Sequence, residues 1–189
     1  MNAQSTATAE LRDEHQLILK VVDVLEEIAN RGSTGGEADV EGVSECITFF
    51  RQFTDACHHG KEEGLLFPEL QAQGMPVEGG PIAVMLEEHR IGRALVGRMA
   101  EAVEATIAGD EDATARLWRA ARDYVDMLRG HILKEDGVLF EMADMMIVGP
   151  ACRQLCEAYG TTCLGHMDGH TREDLEALAA RLVEKYLIA

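Results

Sequence analysis

The sequence has few aromatic residues and few prolines: aromatics make up 5% of the 189 residues, and there are only four prolines. Hydrophobic residues nevertheless reach 47%, so the core must be mainly aliphatic. Scarce helix breakers and many Ala, Leu, Glu and Arg residues favour helices. Because no segment shows the alternation that is typical of a strand, the sequence predicts an all-α protein.

Basic residues are also scarce, since 17 Lys and Arg face 34 Asp and Glu, which gives a net charge of -17. This charge argues against nucleic acid and anionic membranes as partners. No apolar run approaches the ~20 residues needed to span a bilayer, and the N-terminus lacks the features of a signal peptide. We therefore expect a cytoplasmic protein whose five cysteines, including Cys46 and Cys57, are mostly reduced thiols. The oligomeric state stays open.

Four long helices are predicted by the apolar periodicity and the turn residues. The first ends near Gly32, and the second runs from about residue 40 towards Pro68 and Gly74. The third covers about 81–108 and the fourth about 113–147. We expect one helical domain over residues 1–148, with residues 149–189 forming a C-terminal extension that packs on it. That extension holds a Cys/His-containing segment and a helix.

An internal repeat relates the two halves of the first domain. The segment "HHGKEEGLLF" at 58–67 matches "HILKEDGVLF" at 131–140, and the segments around His15 and His89 also match. Each half thus carries one histidine on its first helix and an HxxxE pattern on its second. Two such helical hairpins predict an up-and-down four-helix bundle.

The HxxxE pattern favours a metal site, because residues four apart on a helix lie about 40° apart and one turn along. Two patterns and two further histidines give four imidazoles and two carboxylates inside a bundle. This set suits two metal ions, each with two imidazoles, bridged by both carboxylates; iron fits such mixed ligands, as do manganese and zinc. The predicted ligands are His15, His58, Glu62, His89, His131 and Glu135.

The choice within the His58–His59 doublet depends on the repeat. The second copy keeps only His131, which corresponds to His58, so His59 and Glu63 receive no role. We therefore expect His58→Ala to lose far more metal than His59→Ala.

The motifs "DEH" at 13–15, "CHHGKEEGLLFPEL" at 57–70, "EEHRIGRAL" at 87–95 and "HILKEDGVLFEMAD" at 131–144 resemble the hemerythrin-like, HHE cation-binding domains. The resemblance covers about residues 9–146. It implies a bundle around two iron ions, often bridged by oxo or hydroxo groups. It further implies a small ligand such as peroxide, NO or O₂, or iron sensing.

The sequence departs from oxygen-carrying hemerythrins, which have HxxxH on the third helix. Here Met85 and Arg93 flank His89 at that spacing, so a fifth histidine is missing there. The carriers' HxxxxD pattern would select Asp136, which we keep as the second choice after Glu135. The resemblance to proteins that handle peroxide or NO, or repair iron centres, favours reactivity with a small oxidant. The alternative is a sensing or storage module without turnover.

Three further features each allow more than one interpretation. Tyr124 lies two helical turns before His131, where it either contacts the centre or serves as a core aromatic. Glu14, Glu87 and Glu88 either orient the imidazoles or are solvated acids on the helix surface. The extension leaves three alternatives: a second metal site, a redox-active or disulfide-forming cysteine pair, or ordinary core and surface residues. The residues concerned are Cys152, Cys156, Cys163, His166 and His170.

Overall fold

The computed structural model describes residues 6–34, 38–162 and 167–188, and the regular structure in these ranges is entirely helical. The predicted all-α class is confirmed. The α-helices are α1 (Ala9–Ser33), α2 (Val40–Phe49), α3 (Phe67–Ala72), α4 (Pro81–Ile107), α5 (Ala113–Lys134), α6 (Phe140–Met146), α7 (Gly149–Thr162) and α8 (Arg172–Val183). The π-helical segments are π1 (Phe50–His59), π2 (Glu62–Leu66), π3 (Glu135–Leu139) and π4 (Glu184–Ile188).

Four rods form the bundle. The first is α1, the second joins α2, π1, π2 and α3, the third is α4, and the fourth joins α5, π3 and α6. The first rod packs on the second and the fourth, and the third rod packs on the same two. Each rod therefore has two neighbours, as in a four-helix bundle. No helix in the described ranges combines the length and the apolar character needed to cross a lipid bilayer.

A polar layer divides the bundle between two apolar clusters. In α1, His15 lies between Leu11 of one cluster and Ile18 of the other. In the second rod, the segment 58–62 lies between Cys57 and Leu66 in the same way. The apolar residues on both sides fix the height at which the buried histidines meet.

Gly32 does not simply terminate α1, since the helix runs to Ser33. A Cβ atom on Gly32 would lie 2.3 Å from Cζ2 of Trp118, which is too close for two carbon atoms that are not bonded to each other. The glycine therefore allows the Trp118 indole, on the fourth rod, to pack directly on the α1 backbone. Close helix packing, rather than chain termination, explains this residue.

The C-terminal extension packs on both apolar clusters. Leu155 and Tyr159 of α7 join the cluster of Leu11 and Phe140, while one face of α8 joins the other cluster. Helix α8 begins with a capping box, in which Thr171 and Asp174 satisfy each other's backbone N–H groups.

One expectation about the cysteines is wrong. Cys57 is disulfide-bonded rather than a reduced thiol, whereas Cys46 is a free, buried thiol as expected. A disulfide requires two side chains to approach in space, and sequence spacing does not report that approach.

Candidate metal centre

Seven side chains converge in the polar layer: the six predicted residues and, in addition, His59. The first group consists of His15, His58, Glu62 and Glu135, and the second of His59, Glu62, His89 and His131. Within each group, one potential ligand atom from every residue lies within 4.8 Å of those of the others. Glu62 belongs to both groups, and Glu135 Oε1 also lies 4.0 Å from His89 Nε2. Both groups are buried.

The atoms that point into the layer have no hydrogen-bond partner among the described residues. They are the Nε2 atoms of all five histidines and both carboxylate oxygens of Glu62 and Glu135. Nitrogen and oxygen approach to 3.2 Å between His15 and Glu135 and to 3.4 Å between His89 and Glu62, without hydrogen-bond geometry. Buried polar atoms are nearly always paired, so this concentration of unpaired acceptors and imidazole nitrogens is the pattern expected of a cation site.

Each histidine is held by a carboxylate on its other ring nitrogen. The Nδ1-to-oxygen distances are 2.9 Å for His15 and Asp136, 2.9 Å for His58 and Glu14, 3.3 Å for His59 and Asp55, 2.7 Å for His89 and Glu63, and 3.0 Å for His131 and Glu88. A carboxylate that accepts the Nδ1–H bond fixes the tautomer that presents Nε2. All five rings are thus oriented with Nε2 towards the layer.

These contacts distinguish between neighbouring carboxylates to which the sequence alone could not assign separate roles. Asp136 contacts Nδ1 of His15, while its neighbour Glu135 lies inside the cluster. Glu88 contacts His131, whereas Glu87 is exposed and accepts hydrogen bonds from Arg90. Adjacent residues diverge around a helix, so only one of each pair faces the bundle interior at the required height.

His59 reaches the cluster because Glu62 lies between His58 and His59 when the three residues are viewed down the helix axis. At about 100° per residue, Glu62 lies about 40° beyond His58 and about 60° short of His59. The segment is π-helical up to His59, and the wider π turn brings neighbouring side chains closer in angle. A single inward face therefore carries both imidazoles, one on each side of the shared carboxylate.

The internal repeat gives no indication that His59 belongs to the cluster. The residue that corresponds to His59 in the second copy is Ile132, which is buried and apolar. The second group contains three imidazoles, one more than the two per metal ion that the repeat predicts. The second rod thus contributes a fifth histidine to the cluster, and the signal in the sequence is the three-residue spacing between His59 and Glu62.

In this layer, burial and the neighbouring charges shift the pKa values of several carboxylates and histidines in opposite directions. Burial alone would raise the pKa of Glu62, but His58, His89 and His15 lower it to about 2. Burial and the nearby Glu62 charge raise the pKa of Glu135. Burial alone would lower the pKa of His15 and of His89, but the surrounding carboxylates raise each to about 9. Without a metal ion, protons must balance these carboxylates.

His59 differs from these two histidines. Burial and the neighbouring charges of His89, His58 and His131 lower its pKa well below the usual value. The ring is therefore neutral at physiological pH, the form in which imidazole binds metals.

A cavity of about 270 Å³ reaches the second group from outside the bundle. It touches the three histidines His59, His89 and His131. The rest of its wall includes Phe50, Thr54, Gly92, Val96, Tyr124 and Met127. Tyr124 therefore lines an access cavity, and Oγ1 of Thr54 has no partner among the described residues. This space admits molecules of a few atoms beside the second group.

The proposed second metal site in the extension is only partly covered by the structure. Cys163 and His166 lie outside the described residues, and His170 is exposed. The suggested set therefore stays a prediction.

A family model described as the hemerythrin HHE cation binding domain matches residues 6–143. Among curated proteins, the chain is 25% identical over 154 residues to the uncharacterized protein Rv1995 of Mycobacterium tuberculosis and to the uncharacterized protein Mb2018 of Mycobacterium bovis. Each match covers 82% of this chain but only 60% of the relative's length. No solved structure matches the chain.

Proposed function

The chain belongs to the hemerythrin HHE cation-binding domain family, and on that premise we propose that it is a non-haem di-iron protein that reacts with a small oxidant. The oxidant classes are peroxide, NO and dioxygen. Because the chain spans 60% of the length of its curated relatives, the activity proposed concerns the centre itself.

One observation carries the proposal: nine buried nitrogen and oxygen atoms converge with no hydrogen-bond partner in the described part of the chain. Leaving a buried polar group unpaired costs about 1–3 kcal/mol, and more for a charged group. Bound cations would pair these atoms and neutralise Glu62 and Glu135 together. The orientation of each imidazole by a carboxylate supports the same conclusion.

We assign the ligands in two sets. His15 and His58 would hold one ion, and His59, His89 and His131 the other, with Glu62 and Glu135 shared between them. Five imidazoles and two carboxylates suit iron, with manganese or zinc as the alternative. Two iron ions would supply one-electron redox steps and a position for a small exogenous ligand.

The residues around the centre favour small substrates. Tyr124, Met127 and Gly92 line the cavity of about 270 Å³, and a Cβ atom on Gly92 would lie only 3.0 Å from Cε of Met127. Peroxide fits this size. Two molecules of peroxide disproportionate into two waters and one dioxygen. A catalase-like reaction therefore needs no external reductant.

Metal analysis and spectroscopy of the full chain test the proposal. We expect close to two iron ions per chain and iron charge-transfer absorption in the oxidised protein. Stopped-flow mixing with peroxide, with dioxygen evolution followed in parallel, should show turnover. Stoichiometric zinc, or a protein without bound metal, would contradict the di-iron assignment.

A second candidate is a module that binds dioxygen or iron without turnover. It is favoured by the contacts of the histidines, since every Nδ1 atom is already engaged by a carboxylate. No cluster histidine is then available for acid–base chemistry through Nδ1. Reversible spectral changes with dioxygen, without consumption of peroxide, would identify this function.

A further inference from the structure

Tyr159 lies outside the family match, on helix α7 of the C-terminal extension. The residue is 1% exposed, and its hydroxyl has no hydrogen-bond partner among the described residues. A buried hydroxyl without a partner is costly, so its retention calls for an explanation.

The surroundings of Tyr159 place it beside the first group of ligands. Helix α7 packs against π2, the segment that begins at Glu62. Nζ of Lys61 lies 5.8 Å from the centre of the phenol ring. The same Lys61 donates to Glu14, which contacts Nδ1 of His58. The phenol therefore lies on the side of the centre that carries His58 and Glu62.

This side also has fewer protein ligands. With Glu62 and Glu135 shared, the first group offers two imidazoles and the second offers three. A small molecule would thus find a free coordination position at the ion held by His15 and His58.

We propose that the hydroxyl of Tyr159 donates a hydrogen bond to a small anionic or neutral ligand held at the His15–His58 position. This inference rests on the proposed function and adds a residue from outside the family domain to it. Tyr159 is a positioning residue: it orients the exogenous ligand and is not itself a metal ligand.

The protonation of the phenol agrees with a donor role. Burial and the charge of Glu62 raise the pKa of Tyr159 above its ordinary range, so the hydroxyl keeps its proton. The competing position is the cavity beside His59, His89 and His131, which Tyr124 lines. The chain contains three tyrosines, and the third, Tyr186, donates to Asp39 at 2.6 Å, away from the centre.

Azide binding to the iron-loaded, oxidised full chain tests the inference. Wild type, Tyr159→Phe, Tyr124→Phe and Tyr186→Phe are compared for iron content and then titrated with azide by absorption difference. Phenylalanine retains the ring packing in each case. We expect normal iron content in all four proteins and a dissociation constant for azide raised about tenfold or more in Tyr159→Phe alone.

The other outcomes are distinct. A normal iron content with an unchanged azide constant in Tyr159→Phe overturns the inference but leaves the proposed function intact. A larger effect in Tyr124→Phe places the ligand on the cavity side and overturns it too. Loss of iron in Tyr159→Phe assigns the residue to metal retention instead. A wild type that binds no iron overturns both the proposed function and this inference.

Discussion

The ring of His59 stacks on that of His89, with centroids 3.8 Å apart and planes inclined by 15°. The two side chains come from different rods, and both direct into the same group an Nε2 atom that has no hydrogen-bond partner within residues 6–34, 38–162 and 167–188. His131 meets His89 at 4.9 Å in an edge arrangement and completes the three imidazoles. The stack shows that His59 packs within the second group rather than beside it.

Replacing His59 tests its assignment as a ligand. His59→Ala removes one of three imidazoles from the second group, and we expect the iron content to fall from about two ions per chain towards one. His58→Ala should cause a comparable loss from the first group. Iron and protein are measured on the same samples after gel filtration.

The matched control is His170→Ala, which removes an exposed histidine and should leave the iron content unchanged. If His59→Ala retained two ions while His58→Ala lost metal, the original choice from the repeat would be right and the ligand set proposed here would fail.

The adjacent residues Glu87 and Glu88 provide a test of the outer carboxylates. Glu88 contacts Nδ1 of His131. The side chain of Glu87, in contrast, accepts hydrogen bonds from the exposed Arg90. We expect Glu88→Gln to weaken metal affinity by about 10–100-fold, because the amide cannot orient and polarise the ring as the carboxylate does. Competition with a chromophoric chelator measures this affinity. Glu87→Gln is the control, and equal effects of the two changes would contradict the assigned contact.

The sequence predicted the four-helix core and six of the seven clustered residues, because the repeat and the HxxxE spacing both depend on helical geometry. His59 was missed for a physical reason. The repeat compares equivalent positions, and the equivalent of His59 is Ile132, although a two-metal centre need not be symmetric. The sequence also could not choose between Glu87 and Glu88, because the rotation of α4 against its neighbouring helices decides which of the two carboxylates faces a histidine. The position of Tyr159 depends on how the extension packs, which no motif indicates.

Metal removal should destabilise the fold. Ligand at about 100 times its dissociation constant stabilises a protein by about 2.7 kcal/mol, which corresponds to about 5–10 °C in Tm for a chain of this size. We therefore expect chelated protein to unfold at a lower temperature than iron-loaded protein in differential scanning calorimetry.

A double variant, His58→Ala with His59→Ala, provides the reference for the calorimetric comparison. It lacks an imidazole in each group, so chelation should change its Tm little. An equal shift in this variant and in wild type would mean that the stabilising metal binds elsewhere.

Metal loading should release protons at neutral pH. In the metal-free protein, carboxylates raise the pKa of His15 and His89 to about 9, so each ring is protonated on both nitrogens and positively charged at pH 7. A metal ion requires the deprotonated nitrogen, and binding must therefore displace these protons. Apparent affinity should rise with pH up to about 9 and level off above it. Calorimetric titration of ferrous iron without oxygen, in buffers of different ionisation enthalpy, should give roughly two protons per loaded chain from these rings at pH 7. A count near zero would mean that the imidazoles are already neutral and that Glu62 and Glu135 are balanced in another way.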